Sequence, residues 1–542
     1  MVAELVLSPA ATLVDGLLPS QLSTIRKYSL LLVFCLAQLI DVFNNSALFS
    51  AIPTLITSLD MTESESTWII SAYQLTFASF LLISGRISDV YNPKAAFITG
   101  FSGLGLIAIG SGFVRSKIVL IVLRALSGMV ASLTIPAALT LLVKIFPEPA
   151  EQARAIGIFG GCGAIGNVLG LIIGAIFIQY TSWSWVFWFI PTVALPISAL
   201  SYFLIPPQYE DASGDEPKSS SEKLKNLDTL GVASLILLIF AVTSGSSSGW
   251  GSATVLAPLI ISPFLLAGFF FYERAIPAAK AAIPPATWFL PNFAVLFAVA
   301  LLPYFWWVTI FTIFTNLWQG VYGWQAIDSA VHFLPVGIVA FAASWTGSWA
   351  KRVSPKWIIM AGEGLMIIAT ILMAFASARE AYWPFVFPAF LLGSTGATLA
   401  YTHANIAIFQ TSLAESDKMA GTVGAIFNGA LQLGSAVGIA AVTSVESSVE
   451  KRSSRGIEGY QGRAAAFWFL LGVVIVETAA VLIFYRRDIA VVEDAERVEA
   501  KTGDGEAKCT SSEKTSFDGA SPAREPAGEI VEELTEGSGF TP

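Results

Sequence analysis

Charge is what this chain of 542 residues has least of: 13% of its residues are charged and 55% are hydrophobic. An average soluble protein carries about 25% charged residues, so a long soluble enzyme is excluded. Positive charge is the scarcer sign. With 30 Lys and Arg against 39 Asp and Glu, the formal net charge is −9, which repels phosphate and excludes a nucleic-acid partner. Histidine is nearly missing, and His332 and His403 cannot by themselves build a His-based metal site. The three cysteines, Cys35, Cys162 and Cys509, are too few and too scattered for a disulfide framework. Two of them lie in apolar runs and read as small buried hydrophobes. No G-x-x-x-x-G-K-[ST] loop is present, so ATP has no engine here, and neither an enzyme motif nor a cofactor site is visible. The stretch 1–21 lacks the basic start of a signal peptide, and 1–27 is expected to be a cytosolic tail.

Long apolar runs are what the chain has instead. A helix crossing a bilayer needs about 20 mostly apolar residues. Windows of that kind fall near 28–48, 68–84, 95–113, 118–141, 155–178 and 185–205, then 229–245, 254–272, 289–313, 327–349, 357–376, 383–408, 420–443 and 464–485. Barrel strands would be about half as long and alternate in polarity, so the expected fold is an all-helical polytopic membrane protein. About fourteen spans give the two termini the same side. With both termini in the cytosol, inside segments hold 17 Lys and Arg and outside segments hold 7, the skew that sets orientation. The polar break 206–227 is the one sizeable internal linker, with six spans before it and eight after. The reading is a first six-helix bundle at 28–205, two extra helices at 228–273, a cytosolic loop at 274–288 and a second six-helix bundle at 289–485. Residues 488–542 hold 14 acids and 5 bases, so the whole net charge sits on an acidic tail, 486–542, whose composition predicts disorder.

Several runs carry a resemblance. Gly85-Arg86-Ile87-Ser88-Asp89 after the second span, Arg124 with Gly128 in the fourth, and Ser182-Trp183-Ser184-Trp185-Val186-Phe187 before the sixth resemble motifs of the major facilitator superfamily. The stretch from Leu227-Asp228 to Ser248-Gly249-Trp250 is similar to the first extra helix of its 14-span drug:proton antiporter branch. Asn44-Asn45-Ser46-Ala47, the run 68–75 and the run 163–170 look closest to a fungal subgroup related to aminotriazole-resistance and boron-efflux transporters. The likeness covers roughly 28–485, with three departures. Of the basic residues that usually follow the loop motif only Lys94 remains, Gly166 is followed by Asn167 rather than proline, and the usual first-span Asp position holds Asn44, with Asp41 one turn earlier.

Ionisable residues inside spans are few and are functional candidates by default, because a charge near the bilayer centre costs about 2.5–3.5 kcal/mol on insertion scales. Asp41, Arg124, Glu363 and His403 are the candidates for proton coupling; Glu477, on the last span, reads as a packed residue. Asp41 shares a helical face with Asn44 and Asn45, and burial penalises its anion, as a proton carrier requires. A permanent salt bridge between Asp41 and Arg124 is the alternative. Asn44, Asn45, Tyr73 and Gln74 on the first two spans, with Asn428 and Gln432, are candidates to hydrogen-bond a substrate. Gly85, Arg86, Asp89, Gly128, Gly163, Gly166, Asn167 and Gly170 are candidates for conformational gating, the glycines offering smooth surfaces for close helix approach. Trp183, Trp185, Trp188, Trp306, Trp307 and Trp318 are expected in an interfacial belt.

The resemblance implies a proton-linked exporter of small molecules, drawing on the proton gradient, a monomer in the lipid bilayer. The plasma membrane is the expected location and a vacuolar membrane the alternative. A proton-independent facilitator of a small polar solute and a non-transporting membrane sensor are the competing readings.

Overall fold

The computed structural model describes residues 22–486, apart from positions 62, 91 and 352, segments 276–284 and 414–419, and most of 207–250. The side chains of Arg86 and Asp89 and the expected span at 229–245 lie outside the described residues, save five positions of that span. All regular structure among the described residues is helical. In chain order the helices are α1 (Thr24–Leu59), α2 (Glu63–Val90), α3 (Pro93–Phe113), α4 (Lys117–Ala131), α5 (Thr134–Ile145), α6 (Pro149–Tyr180) and α7 (Ser184–Leu204). Then follow α8 (Ala253–Ala275), α9 (Phe293–Thr315), α10 (Ala326–His332), α11 (Leu334–Ser344), α12 (Pro355–Ala374), α13 (Val386–Leu413), α14 (Ala420–Glu450) and α15 (Gln461–Phe484).

Among the described residues twelve helical stretches are long and apolar enough to cross a membrane, with α4–α5 and α10–α11 each forming one stretch. The helix α2 is 28 residues long, and its apolar window, Trp68–Leu81, covers half of it. In hydrocarbon the backbone must satisfy itself, which is why a chain this apolar folds as helices and why their ends are specified locally. The start of α3 shows how. Asn92 Oδ1 accepts from the backbone N–H groups of Lys94 (2.9 Å) and Ala95 (3.3 Å), and Pro93 takes the first helical position, where no N–H is needed.

The most extensive helix–helix packing among the described residues runs along α1 and α6. A Cβ on Gly166 would stand 2.6 Å from the Leu39 carbonyl oxygen, and one on Gly174 would stand 2.5 Å from that of Ala47. Only hydrogen fits at those points, so the glycines bring the two backbones together. Ser50 Oγ then donates across the seam to the Leu171 carbonyl at 3.0 Å.

The two halves, α1–α7 and α9–α15, repeat one device. Lys94, the second residue of α3, donates to the Ile205 carbonyl (2.6 Å) and Arg26 to the Leu204 carbonyl (2.8 Å), so the C-terminal end of α7 is held by the starts of α1 and α3. Lys356, the second residue of α12, donates to the carbonyls of Leu482 (2.9 Å) and Tyr485 (3.0 Å), and Asn292 exchanges two hydrogen bonds with the Arg486 backbone. The end of α15 is thus held by the start of α12 and the residue before α9. Cations on the last carbonyls of a helix satisfy groups that otherwise have no partner.

The halves meet on both sides of the molecule's middle. The Gly85 position of α2 abuts Ala425 and Gly421 of α14. On the other flank a Cβ on Gly157 of α6 would lie 2.6 Å from the Ser344 carbonyl, and one on Gly347 would lie 2.7 Å from the Ala153 carbonyl.

Candidate functional site

Between the halves lies a cavity of about 90 Å³. Its first wall comes from α1, α2 and α6 and carries most of the polar groups, Asp41, Asn45, Ser46, Gln74 and Asn167, beside Val42, Phe49, Gly163 and Ala164. Its second wall comes from α9, α11 and α14: Tyr304, Trp307 and Phe311, then Val336, Gln432 and Ser435. Among the described residues Asp41 is the only carboxylate on the lining, and none of the Lys, Arg or His among them reaches it.

The surroundings of Asp41 follow from helical spacing. Positions 41, 44 and 45 share one face of α1, and that face looks at α2 and α4. The Tyr73 hydroxyl of α2 donates to Asp41 Oδ1. The Tyr73 ring stacks on Phe77 at 5.6 Å, and the Arg124 guanidinium stands 4.5 Å from the Tyr73 centroid on a cation–π axis. Arg124 is 1% exposed and spends its donors in three directions. Its Nε donates to the Ile69 carbonyl (2.8 Å), one terminal nitrogen to Asn44 Oδ1 (2.9 Å) and the other to Asn45 Oδ1 (2.6 Å). The guanidinium therefore bonds to the asparagines rather than to Asp41, whose hydrogen bond is with Tyr73. A charge this buried is tolerated only when paired and hydrogen-bonded, and the amide fork supplies the bonds while Asp41 supplies the nearby opposite charge. Gly128, one turn past Arg124, presses against the Tyr73 carbonyl and Thr76 Oγ1 with no room for a Cβ. That close approach of α4 to α2 is what lets Arg124 reach α1.

The other candidates sort by position. Asn45, Gln74, Gln432, Gly163 and Asn167 line the cavity, whereas Asn44 and Tyr73 stand behind it and hold Arg124 and Asp41. Asn428 is off the lining; its Nδ2 donates to the Gly424 carbonyl of its own helix at 2.9 Å. His403 is fully buried away from the cavity, with Nε2 3.2 Å from Thr346 Oγ1. Glu363 is also off the lining. It is fully buried on α12, facing Glu477 and Thr478 of α15. Gly166 and Gly170 serve the α1–α6 seam, and Gly85 touches α14.

The aromatic wall was not expected, because Trp306, Trp307, Trp183 and Trp318 read as interfacial. Trp306 is instead fully buried, its Nε1 donating to Thr370 Oγ1 at 3.1 Å, and Trp307 faces the cavity with Nε1 3.4 Å from Ser394 Oγ. Trp183 and Trp318 are buried as well, while Trp185 is exposed. Each buried ring wedges between helices and finds a polar or aromatic neighbour. A signal was present: Tyr304, Trp307 and Phe311 recur at three and four residues, one stripe of α9.

The sequence model of the Major Facilitator Superfamily matches residues 34–439. A major facilitator superfamily multidrug transporter of Aspergillus fumigatus is 28% identical over 475 residues, covering 84% of this chain and 86% of its own length. A puromycin resistance protein of Streptomyces alboniger is 28% identical over 429 residues, covering 78% of this chain and 82% of itself. The solved structure of a major facilitator proton:xylose symporter bound to 6-bromo-6-deoxy-D-glucose superposes with a TM-score of 0.59 at 12% identity, covering 86% of this chain and 97% of the other.

Proposed function

This chain belongs to the major facilitator superfamily, and from that premise we propose that it exports small molecules by proton antiport, through alternating access between its two halves. The carrying observation is Asp41: the one carboxylate among the described residues on the wall of the cavity between the halves, bonded to Tyr73 and set near a buried Arg124 whose hydrogen bonds go elsewhere. A carboxyl in that place can exchange a proton with the cavity while Arg124 keeps its own hydrogen bonds. Loss of the proton leaves an anion facing a cation; gain of it leaves Arg124 alone, and the two states favour different packings of α1 against α4. Each proton moved supplies about 1.4 kcal/mol per pH unit and about 2.3 kcal/mol per 100 mV.

The polar wall suits the hydrogen-bonding groups of a small solute, and the ring wall suits a flat or apolar part of it. Relatives named for multidrug transport and puromycin resistance support export of toxic small molecules. The fuller reading is a 14-span chain of the drug:proton antiporter branch, monomeric, in the plasma membrane, with both termini in the cytosol. A proton-independent facilitator is the second reading, favoured by Asn167 standing where antiporters of the branch carry proline. Flux from solute-loaded vesicles, with and without a pH gradient, separates the two for the wild type and Asp41→Asn. Gradient-stimulated flux that disappears in Asp41→Asn is expected. Flux indifferent to both the gradient and the substitution would overturn the antiport reading.

A further inference from the structure

Behind the ring wall stands a hydroxyl to which proton exchange at Asp41 gives no task. Two tryptophans follow one another on α9, and each places its indole N–H on a buried hydroxyl. Trp306 Nε1 donates to Thr370 Oγ1 at 3.1 Å, and Trp307 Nε1 donates to Ser394 Oγ at 3.4 Å. Both hydroxyls spend their own hydrogen on a backbone carbonyl, Thr370 on that of Met366 at 2.7 Å and Ser394 on that of Val336 at 2.8 Å. The direction of the indole bonds is thereby fixed, because a hydroxyl whose hydrogen is already placed meets its next neighbour as an acceptor. Thr370 and Ser394 are both fully buried. The backbone of α13 comes this near to α9 because Gly393 precedes Ser394, and a Cβ there would run into the Trp306 ring.

The two rings differ in what lies beside them. Trp306 is off the cavity, whereas Trp307 and Val336 both line it and Ser394 does not. One hydroxyl on α13 thus ties a wall residue of α9 to a wall residue of α11 from behind. The consequence for the cavity is chemical. An indole N–H is a donor only, and a free one would be offered to whatever enters. Held by Ser394, Trp307 offers its ring instead. We propose that Ser394 is a specificity-determining positioning residue: it withholds the Trp307 N–H from the cavity, so that this part of the wall selects a solute with an apolar ring over one of the same size with a hydrogen-bond acceptor there. An acceptor brought against a wall without a donor loses its water and gains no partner, which is the source of the discrimination. This role rests on the cavity as the place where the proposed exporter docks its solute, and it holds whether or not Asp41 carries protons.

The Trp307 share of the tryptophan emission is obtained for the full chain in detergent micelles by subtracting Trp307→Phe, once with Ser394 present and once with Ser394→Ala. Removing the acceptor should turn the indole N–H to the water of the cavity and move that emission to longer wavelength. An unmoved or blue-shifted emission would overturn the assignment, and this measurement needs no solute. Benzyl alcohol and pyridylmethanol, alike in size and differing by one ring acceptor, then probe the cavity in titrations followed by saturation-transfer NMR. The wild type should favour benzyl alcohol, and Ser394→Ala should move the ratio of the two half-saturating concentrations about fivefold toward the pyridine, the worth of one ordinary hydrogen bond. In the Trp307→Phe background, where no N–H remains to be held, Ser394→Ala should leave the ratio unchanged. An equal shift in both backgrounds would mean that Ser394 acts only through the Val336 carbonyl, and would sink the proposal. If the emission moves while wild type, Ser394→Ala and Trp307→Ala all bind the two alcohols alike, the cavity is not where rings dock, and the specificity role falls together with that reading.

Discussion

Moving one negative charge by a single helical turn tests the geometry around Arg124 most severely. Asn44 already offers Oδ1 to the guanidinium at 2.9 Å, while its amide nitrogen faces the Tyr73 hydroxyl. Asn44→Asp would replace that amide nitrogen with a carboxylate oxygen. Charge centres about 4 Å apart attract by about 4 kcal/mol at an effective dielectric of 20. Alone, however, the substitution sets two carboxylates around one arginine, and Asp41→Asn alone leaves the arginine with none. Both singles bury an unbalanced charge and should lose about 2–4 kcal/mol, roughly 30- to 1,000-fold in gradient-driven flux, since breaking one partner of a buried pair is expensive. The double variant Asp41→Asn/Asn44→Asp restores the balance within the same ring of Tyr73, Asn45 and Arg124. The thermal midpoint in detergent should recover to near the wild type, giving a stability coupling of about 5 kcal/mol between positions 41 and 44, whereas gradient-driven flux in proteoliposomes should stay low because position 44 lies off the cavity lining. A double variant no more stable than the worse single would refute the claim that Arg124 responds to the charge on this face of α1.

Two further outcomes follow from packing. Gly166→Val should lower the thermal midpoint and flux together, because the new side chain meets the Leu39 backbone, which cannot turn aside, at a cost of about 1–3 kcal/mol; Gly364→Ala, with nothing within 4 Å, should leave both unchanged in the same melts and flux assays. Trp307→Ala should widen the cavity and admit bulkier solutes, raising KM for the smaller ones, whereas Trp307→Phe keeps the ring, loses only the contact to Ser394 and should stay near wild type. A competition series graded by solute size checks the pair, and equal selectivity in both variants would sink the assignment of Trp307 to the wall.

The helices were legible because hydropathy along a chain reports burial in lipid directly, so the windows at 95–113 and 185–205 fall on α3 and α7 almost to the residue. Asp41, Asn45 and Gln74 were legible for a related reason: polar side chains within apolar spans need a wet or paired place, and the cavity is one. The aromatic wall was hidden because α9 is apolar on every face, so lipid-facing and cavity-facing residues look alike in composition. Tyr73 was misassigned in kind, since its hydroxyl serves Asp41 rather than the cavity, and no periodicity distinguishes a residue that touches a ligand from one that steadies its neighbour. Glu363 and Glu477 meet across two helices far apart in sequence, a proximity that only the packing of α12 on α15 creates. Lys94 looked like the remnant of a loop motif, and its bond to the Ile205 carbonyl gives it a different task.

The paired clasps on α7 and α15 also set an order of assembly. The Lys94 and Arg26 donors wait on carbonyls that do not exist until residues 204 and 205 have been synthesised, and from then on the first half can shut while the rest of the chain is still emerging. The second half closes by the same rule: its donors on Asn292 and Lys356 wait on acceptors at 482–486, so its clasp forms only once α15 has been made. Each half therefore latches on its own last helix, the first before the second.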